Sequence, residues 1–127
     1  MAKVKVSKDF YLSEFDCRDG TPVPESKVCN VRELAVHLQA LRDHIGEAIT
    51  INSGFRTPTY NRRVGGATNS MHLQAKAGDL VTRSHTPKQL HAIIEKLIKE
   101  GKMQNGGLGL YRSFVHYDIG PVRRWNG

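Results

Sequence analysis

Four side chains in the second half of the chain have the types and spacing of a metal centre. His72 and Asp79 stand seven residues apart with a stretch of small residues between them, and His116 is followed two residues later by Asp118. A catalytic zinc ion typically takes three protein ligands from His and Asp or Glu and leaves one position for water. If His72 lies in a loop and Asp79 in the following strand, the chain can double back and bring both to one point. Either pair alone is weak evidence, because such spacings are common by chance.

The segment that contains His116 is predicted to be a strand. Alternate side chains of a strand share a face, so His116 and Asp118 point to the same side as Phe114, and the intervening apolar residues belong to the core. The two segments together offer two histidines and one aspartate to zinc, with a spare carboxylate nearby. Amide hydrolysis at a metal needs a Lewis acid, a water of lowered pKa and a proton acceptor. A zinc ion on the three ligands would supply the first two, and the spare carboxylate could supply the third.

Hydrophobic periodicity predicts the elements that would position these residues. One helix is predicted from Asn30, a good N-cap, to Gly46, and a second long helix begins at Thr86-Pro87 and ends at Gly101. A short helix is predicted after Thr57-Pro58, strands at 48–52, 77–82, 109–111 and 114–119, and an irregular lead-in at 8–30. Helices interspersed with short strands predict an α+β fold. We expect a small antiparallel sheet with helices packed on one side and the zinc site on its open face.

Length and composition limit the class of protein. The chain has 127 residues, which fit one domain over 1–127. Its composition is that of an ordinary globular protein, and it has neither an apolar run of the ~18 residues that a membrane helix needs nor an apolar signal segment at its start. The net charge of +7 would attract nucleic acid, an anionic membrane or an anionic cell wall, and composition does not separate these. Cys17 and Cys29 could form one disulfide or remain thiols, with a structural role or none.

The order of these motifs resembles that of the M15 family of zinc peptidases. The resemblance rests on Ser53-Gly-Phe-Arg56, Ser70-x-His72-x-x-x-x-Ala77-x-Asp79 and Phe114-Val-His116-x-Asp118, and it extends over nearly the whole chain. The family includes D-alanyl-D-alanine carboxypeptidases, dipeptidases of vancomycin resistance and phage endolysins, and its zinc-binding fold is shared with the hedgehog signalling domain. The chain is most similar to the compact branch, which shares the final Gly120-Pro-Val-Arg-Arg-Trp125 segment.

The resemblance implies roles for individual residues. It places one zinc ion on His72, Asp79 and His116. It places Arg56 beside the scissile bond, where a permanently charged guanidinium binds a carboxylate or a developing oxyanion, and Ser70 near the polar end of the substrate. Each of the last two has a plainer alternative. Arg56 could form a surface salt bridge after a turn, and Ser70 could cap a helix or a turn.

Two positions depart from the family pattern. Ala75 stands where the family usually has glycine, and Ser113 stands where many members carry a general-base Glu or Asp three residues before the last zinc histidine. Either Asp118 takes the role of general base, or catalysis is weakened or absent. Asp118 could instead orient a zinc ligand without touching the attacking water.

We therefore expect a monomeric zinc peptidase that hydrolyses peptide bonds next to D-amino acids in peptidoglycan stems or cross-links. It would act at the bacterial cell wall or in the periplasm, and a phage or prophage endolysin released by lysis machinery would fit. The alternative is an inactive zinc-binding module that attaches to the wall, which Ser113 favours, whereas Asp118 and Arg56 argue against it. A basic nucleic-acid-binding protein is a third candidate, but no recognisable nucleic-acid motif is present, and we expect neither nucleic-acid binding nor membrane insertion.

Overall fold

The computed structural model describes residues 4–127. Residues 1–3, on which the expectation about a signal segment partly rests, lie outside the described residues. The chain forms seven strands and three helices within that range. In order, these are β1 (Lys5–Ser7), β2 (Phe10–Tyr11), α1 (Val28–Ile45), β3 (Thr50–Ser53), α2 (Pro58–Arg63), β4 (Ala77–Val81), α3 (Pro87–Lys99), β5 (Gly107–Leu110), β6 (Val115–Asp118) and β7 (Arg123–Asn126). None of the helices between residues 4 and 127 is both long and apolar enough to cross a lipid bilayer.

The main sheet has five strands in the order β3-β4-β6-β5-β7. The first four are antiparallel neighbours, whereas β7 pairs in parallel with β5. A separate two-stranded antiparallel sheet joins β1 and β2. The α+β class is therefore confirmed, but the expectation of a purely antiparallel sheet is wrong for the main sheet. The strand β7 was not predicted because Arg-Arg-Trp-Asn has no apolar alternation, and its conformation comes from pairing with β5.

The hydrophobic core lies between one face of the main sheet and the helices α1 and α3. Apolar residues recur at helical spacing along both helices, so each helix presents one continuous apolar stripe. The strands contribute alternate side chains to the same core. The members with no more than 1% exposure include Val31, Leu34, Leu38, Leu41, Leu80, Leu90, Ile94, Leu97, Leu108, Val115 and Tyr117. The opposite face of the sheet is thereby left to the polar side chains of β4 and β6.

The helix ends agree with the predicted signals except at the start of α1. Thr86 Oγ1 accepts a hydrogen bond from Gln89 N, and Gln89 Oε1 accepts one from Thr86 N, so α3 begins with a capping box. Gly46 ends α1 in the left-handed conformation, with φ of 69°. Asn30 is not the N-cap, because α1 begins two residues earlier. The Asn30 side chain instead donates to Gln74 O at 2.9 Å, and this bond ties α1 to the turn that follows Ser70.

The predicted irregular lead-in is more ordered than expected and supports the candidate site. It contains β2 and two 3₁₀ turns, Leu12–Phe15 and Glu25–Lys27. A Cβ at Gly54 would lie 2.8 Å from Phe15 Cα, so only glycine allows the lead-in to approach the loop after β3 this closely. Phe55 N donates to Phe15 O at 2.8 Å and holds the two segments together. Cys17, which is buried, and Cys29, which is exposed, are both free thiols.

Candidate metal centre

Three side chains converge on the face of the sheet opposite the helices. Asp79 on β4 and His116 on β6 are directly paired across the antiparallel ladder, so their side chains stand next to each other. His72 comes from a 3₁₀ turn, Met71–Gln74, which Ser70 caps by accepting a hydrogen bond from His72 N at 3.1 Å. One ligand atom from each of the three residues lies within 4.8 Å of the others. The loop, the two strands and their register thus bring together the three residues that the sequence suggested.

The spacing of these atoms fits a zinc ion. Asp79 Oδ1 lies 3.2 Å from His72 Nε2 and 3.1 Å from His116 Nδ1. Four ligands at zinc distances of about 2.0–2.1 Å in a tetrahedron are separated by roughly 3.3 Å along each edge. All three residues are at most 7% exposed, so an ion held there would be shielded on the protein side. Two imidazole nitrogens and one carboxylate oxygen are also a common ligand set of catalytic zinc.

The orientation of each imidazole ring is set by a bond to its other nitrogen. His72 Nδ1 lies 2.7 Å from Gly54 O, and since a carbonyl can only accept, Nδ1 carries the proton and Nε2 faces Asp79. His116 Nε2 donates to Asp118 Oδ2 at 2.6 Å, so that Nδ1 faces Asp79. Such bonds select the tautomer and direct the free lone pair of each ring towards a metal.

Asp118 is the most completely enclosed polar side chain of the centre. None of its side chain is exposed, and Oδ1 accepts hydrogen bonds from Gly107 N at 3.0 Å and Gly120 N at 2.9 Å. Arg123 Nη2 lies 2.8 Å from Oδ1 and 2.9 Å from Oδ2, and His116 Nε2 binds Oδ2. Both carboxylate oxygens are therefore engaged by the protein itself.

Arg56 lines the cleft beside Asp79 and is largely buried rather than on the open surface. Its side chain is 14% exposed, and its Nη2 binds Asp79 Oδ2 at 3.3 Å. Its Nε donates to Ser53 Oγ and its Nη1 to Asn61 Oδ1, at 3.1 and 3.2 Å. A guanidinium has five N–H groups, so two remain without a protein partner among residues 4–127. Asn61 was not predicted as a site residue, although its buried amide holds Arg56 in place.

Opposing effects set the charges of the centre. Burial by itself would raise the pKa of Asp79, but the close contacts of its Oδ1 with the His116 and His72 rings, at 3.1 and 3.2 Å, outweigh burial and hold that pKa well below its usual range. Burial would likewise lower the pKa of His116, yet hydrogen bonds to Asp118 and Asp79 raise it above its ordinary value. A proton on His116 Nδ1 is therefore held more tightly than on an ordinary imidazole, and a metal bound at Nδ1 would have to displace it.

The centre opens into a cleft of about 440 Å³. Tyr111, Phe114 and Trp125 line one wall, and the loop from Val64 to Met71 lines the other. The rings of Tyr111 and Phe114 stack at 4.4 Å, and Trp125 Nε1 donates to Tyr111 Oη at 2.9 Å. Tyr111 and Trp125 thus line the cleft. Ser113 is exposed in the turn between β5 and β6 and is not among the lining residues.

The chain matches a known family and parts of two curated proteins. The model of the peptidase M15 family matches residues 7–118. A zinc D-Ala-D-Ala carboxypeptidase of Streptomyces albus G is 52% identical over 44 residues, which cover 34% of this chain and 17% of that protein. A probable peptidoglycan L,D-endopeptidase of Haemophilus influenzae, MepK, is 35% identical over 86 residues, which cover 62% of this chain and 43% of that protein. The chain thus spans less than half the length of the curated relatives that it matches.

Proposed function

This chain belongs to the peptidase M15 family, and we propose that it is a zinc-dependent peptidase that hydrolyses peptide bonds in bacterial peptidoglycan. The observation that carries the proposal is the convergence of His72, Asp79 and His116 at one side of an open cleft, with ligand atoms within 4.8 Å of one another. We assign the activity to a single domain that acts as a monomer at the cell wall or in the periplasm. An endolysin brought there by phage lysis machinery is one form of this proposal.

The zinc ion would be held by His72 Nε2, Asp79 Oδ1 and His116 Nδ1. When bound there, zinc supplies a Lewis acid that polarises the scissile carbonyl and lowers the pKa of water. The curated carboxypeptidase relative is named as a zinc enzyme, which supports the choice of metal.

Arg56 and Ser70 are proposed to orient the substrate. Arg56 uses three of its N–H groups on Ser53, Asn61 and Asp79, and the remaining two are available to an oxygen that gains negative charge during hydrolysis. Ser70 Oγ accepts from His72 N, and a hydroxyl that accepts one bond still has its own hydrogen to donate. Ser70 lines the cleft, so this hydrogen can bind a carbonyl or carboxylate of the substrate.

Asp118 is proposed to orient His116 rather than to serve as general base. Both of its oxygens already accept bonds from His116, Arg123 and two backbone amides, and its side chain has no exposed surface. A general base must come within hydrogen-bond reach of the attacking water. The hydrogen bond to His116 Nε2 gives Asp118 a different task, which is to keep the proton on Nε2 and leave Nδ1 free for the metal.

The charges around the cleft favour an anionic substrate. Between Glu47 and Asp79 the chain has four cationic side chains and no acidic one. Of these, Arg62 and Arg63 directly precede the Val64–Met71 wall, are exposed and have no ion pair within residues 4–127. Peptidoglycan stems carry free carboxylates, which such a surface attracts. The two relatives are named for cutting a D-Ala-D-Ala bond and an L,D bond, so we place the scissile bond beside a D-amino acid.

A zinc-binding wall module without activity is the second candidate. One observation favours it. Asp79 and Asp118 are the only carboxylates among the described residues that line the cleft, and both already bind protein groups, so neither is left free to act as a general base.

Incubation of the zinc-loaded chain with purified sacculi separates the two candidates. A peptidase should generate new amino groups, stop when a chelator is added and recover with zinc. A module should sediment with the sacculi and generate none. His116→Ala is the control for both.

A further inference from the structure

We propose that Arg123 is a positioning residue of the metal centre, which acts on His116 through Asp118. The inference rests on the proposed function, because it takes His116 as a metal ligand. Arg123 belongs to β7, the strand that sequence periodicity did not predict. It lies in the Gly120-Pro-Val-Arg-Arg-Trp125 segment, but that segment was not predicted to contribute a site residue. Its side chain contacts neither His72 nor Asp79 by any hydrogen bond within residues 4–127, so its influence must pass through Asp118.

The first observation is the contact itself. Arg123 Nη2 lies 2.8 Å from Asp118 Oδ1 and 2.9 Å from Oδ2, so one guanidinium nitrogen bridges both oxygens. Asp118 has two charge-bearing partners within the described chain, namely His116 and Arg123. A carboxylate with no exposed surface depends on such partners, because water does not solvate it. Without Arg123, the hydrogen bond to His116 would be the one remaining charge-bearing contact of Asp118.

The second observation is the way in which the sheet is built around the contact. Gly107 on β5 pairs with Asp118 on one side and with Arg123 on the other, so the two side chains meet across a glycine. A Cβ at Gly107 would collide with Asp118 Oδ2 and lie 2.7 Å from Arg123 Nη2. A residue with a side chain at this position would therefore push the ion pair apart. The register of β7 and the glycine on β5 together leave room for this one interaction.

The same arrangement recurs one pair along the sheet. Gly109 pairs with His116 on one side and with Trp125 on the other. The Trp125 ring lies 5.0 Å from the His116 ring, and the Arg123 guanidinium lies 5.4 Å from the Trp125 ring. Two alternate side chains of β7 thus reach β6 across glycines of β5. Arg123 crosses Gly107 to Asp118, and Trp125 crosses Gly109 to His116. This repetition argues that β7 supports the metal centre, and Arg123 is the residue through which it reaches Asp118.

The strand also offers a matched control. Arg124 is the next residue of β7 and points to the other face of the sheet, where it binds Glu95 on α3 at 3.0 Å and Asn105 at 2.7 Å. Substitution of either arginine by glutamine removes one positive charge from the same strand. A general effect of charge or strand stability should therefore follow both substitutions, whereas an effect transmitted through Asp118 should follow only Arg123→Gln.

The test is the zinc affinity of the full chain, measured by competition with a chromogenic chelator after metal removal. We expect Arg123→Gln to weaken zinc binding by about 10-fold, at the lower end of the effect of losing an orienting partner. Arg124→Gln should leave the affinity within about 2-fold, and Arg123→Lys should recover part of the loss because it restores the charge beside Asp118. Wild-type affinity in Arg123→Gln, or an equal loss in Arg124→Gln, would overturn the inference.

A double-mutant cycle keeps the inference testable if Arg123→Gln lowers stability. Arg123→Gln should have little further effect on zinc affinity in a chain that already carries Asp118→Asn, because its route to His116 is then broken. Fully additive losses would mean that Arg123 acts by another route and would refute the inference. Zinc binding by the wild type is a separate result. Its absence would refute the proposed function, whereas normal binding by both wild type and Arg123→Gln would refute this inference alone.

Discussion

Replacement of Asp118 by asparagine should weaken the binding of zinc and leave the catalytic step itself largely intact. The carboxylate accepts bonds from His116, Gly107, Gly120 and Arg123 on two oxygens. An amide has one acceptor oxygen. The two backbone amides at Oδ1 would hold that oxygen in place, and the NH₂ group would then face His116 Nε2 and the Arg123 guanidinium, which are both donors.

The expected magnitude follows from the bond that is lost. His116 must either give up its 2.6 Å hydrogen bond or move its proton to Nδ1, the atom that faces Asp79 and the metal. Loss of the partner that orients a metal-bound histidine typically lowers metal affinity by about 10–100-fold, which corresponds to about 1.4–2.7 kcal/mol. Because the defect lies in metal binding, saturating zinc should restore a large part of the activity.

The assay measures zinc affinity by chelator competition and turnover on purified sacculi at low and at saturating zinc. Asp43→Asn is the matched control, since its side chain is 53% exposed, pairs with Lys8 on the surface and loses the same charge. If Asp118 is instead the general base, Asp118→Asn should bind zinc normally and lose about 10²–10⁴-fold in turnover at any zinc concentration. That result would refute the orienting role. Wild-type values for both quantities would exclude both roles.

The ligand set, the proton on His116 and the packing of Trp125 can each be tested by a further change. His72→Ala, Asp79→Ala and His116→Ala should each lose most of the single zinc ion that elemental analysis finds in the wild type, and full retention would remove that residue from the ligand set. Folding raises the pKa of His116, so a proton on Nδ1 competes with zinc up to a pH above the ordinary pKa of about 6.5. Zinc affinity should therefore rise by about tenfold per pH unit below the raised pKa and then level off, and a flat profile would contradict this. Gly109→Ala would drive a Cβ into the Trp125 ring, and thermal denaturation should show a loss of about 1–3 kcal/mol, whereas an unchanged melting temperature would mean that the cleft wall moves freely.

The helices and the approach of His72 to Asp79 were predictable because their signals are local. Thr86-Pro87 and Gly101 mark the two ends of α3 in the sequence itself, and the structure confirms both. The spacing of His72 and Asp79 suggested a chain that doubles back, and the 3₁₀ turn at Met71–Gln74 followed by β4 does so. Signals of this kind depend on local backbone preferences, which do not require contacts with distant parts of the chain.

The order of the strands and the contacts of Asp118 were not predictable, because they arise from pairing between distant segments. The alternation of β6 predicted that His116 and Asp118 share a face, but it did not indicate what lies beside them. Arg123 reaches Asp118 only because β7 pairs with β5 in a register that places Gly107 between them. In the sequence alone, neither the charge of Arg123 nor the missing side chain of Gly107 indicates that Arg123 contacts Asp118. Because Ser113 stands where many members of the family have an acidic residue, the sequence left the general base open. The structure bears on this question through the burial of Asp118, which keeps its carboxylate from the attacking water.

The most direct test of the central claim is mass spectrometry of the material that the zinc-loaded chain releases from purified sacculi. We expect stem peptides or their fragments with new amino groups, cut beside a D-amino acid, and no new reducing sugar ends. Chelation should stop the release, and added zinc should restore it. New reducing ends without new amino groups would identify a glycosidase, and the absence of any release by a chain that binds both zinc and sacculi would leave an inactive wall-binding module.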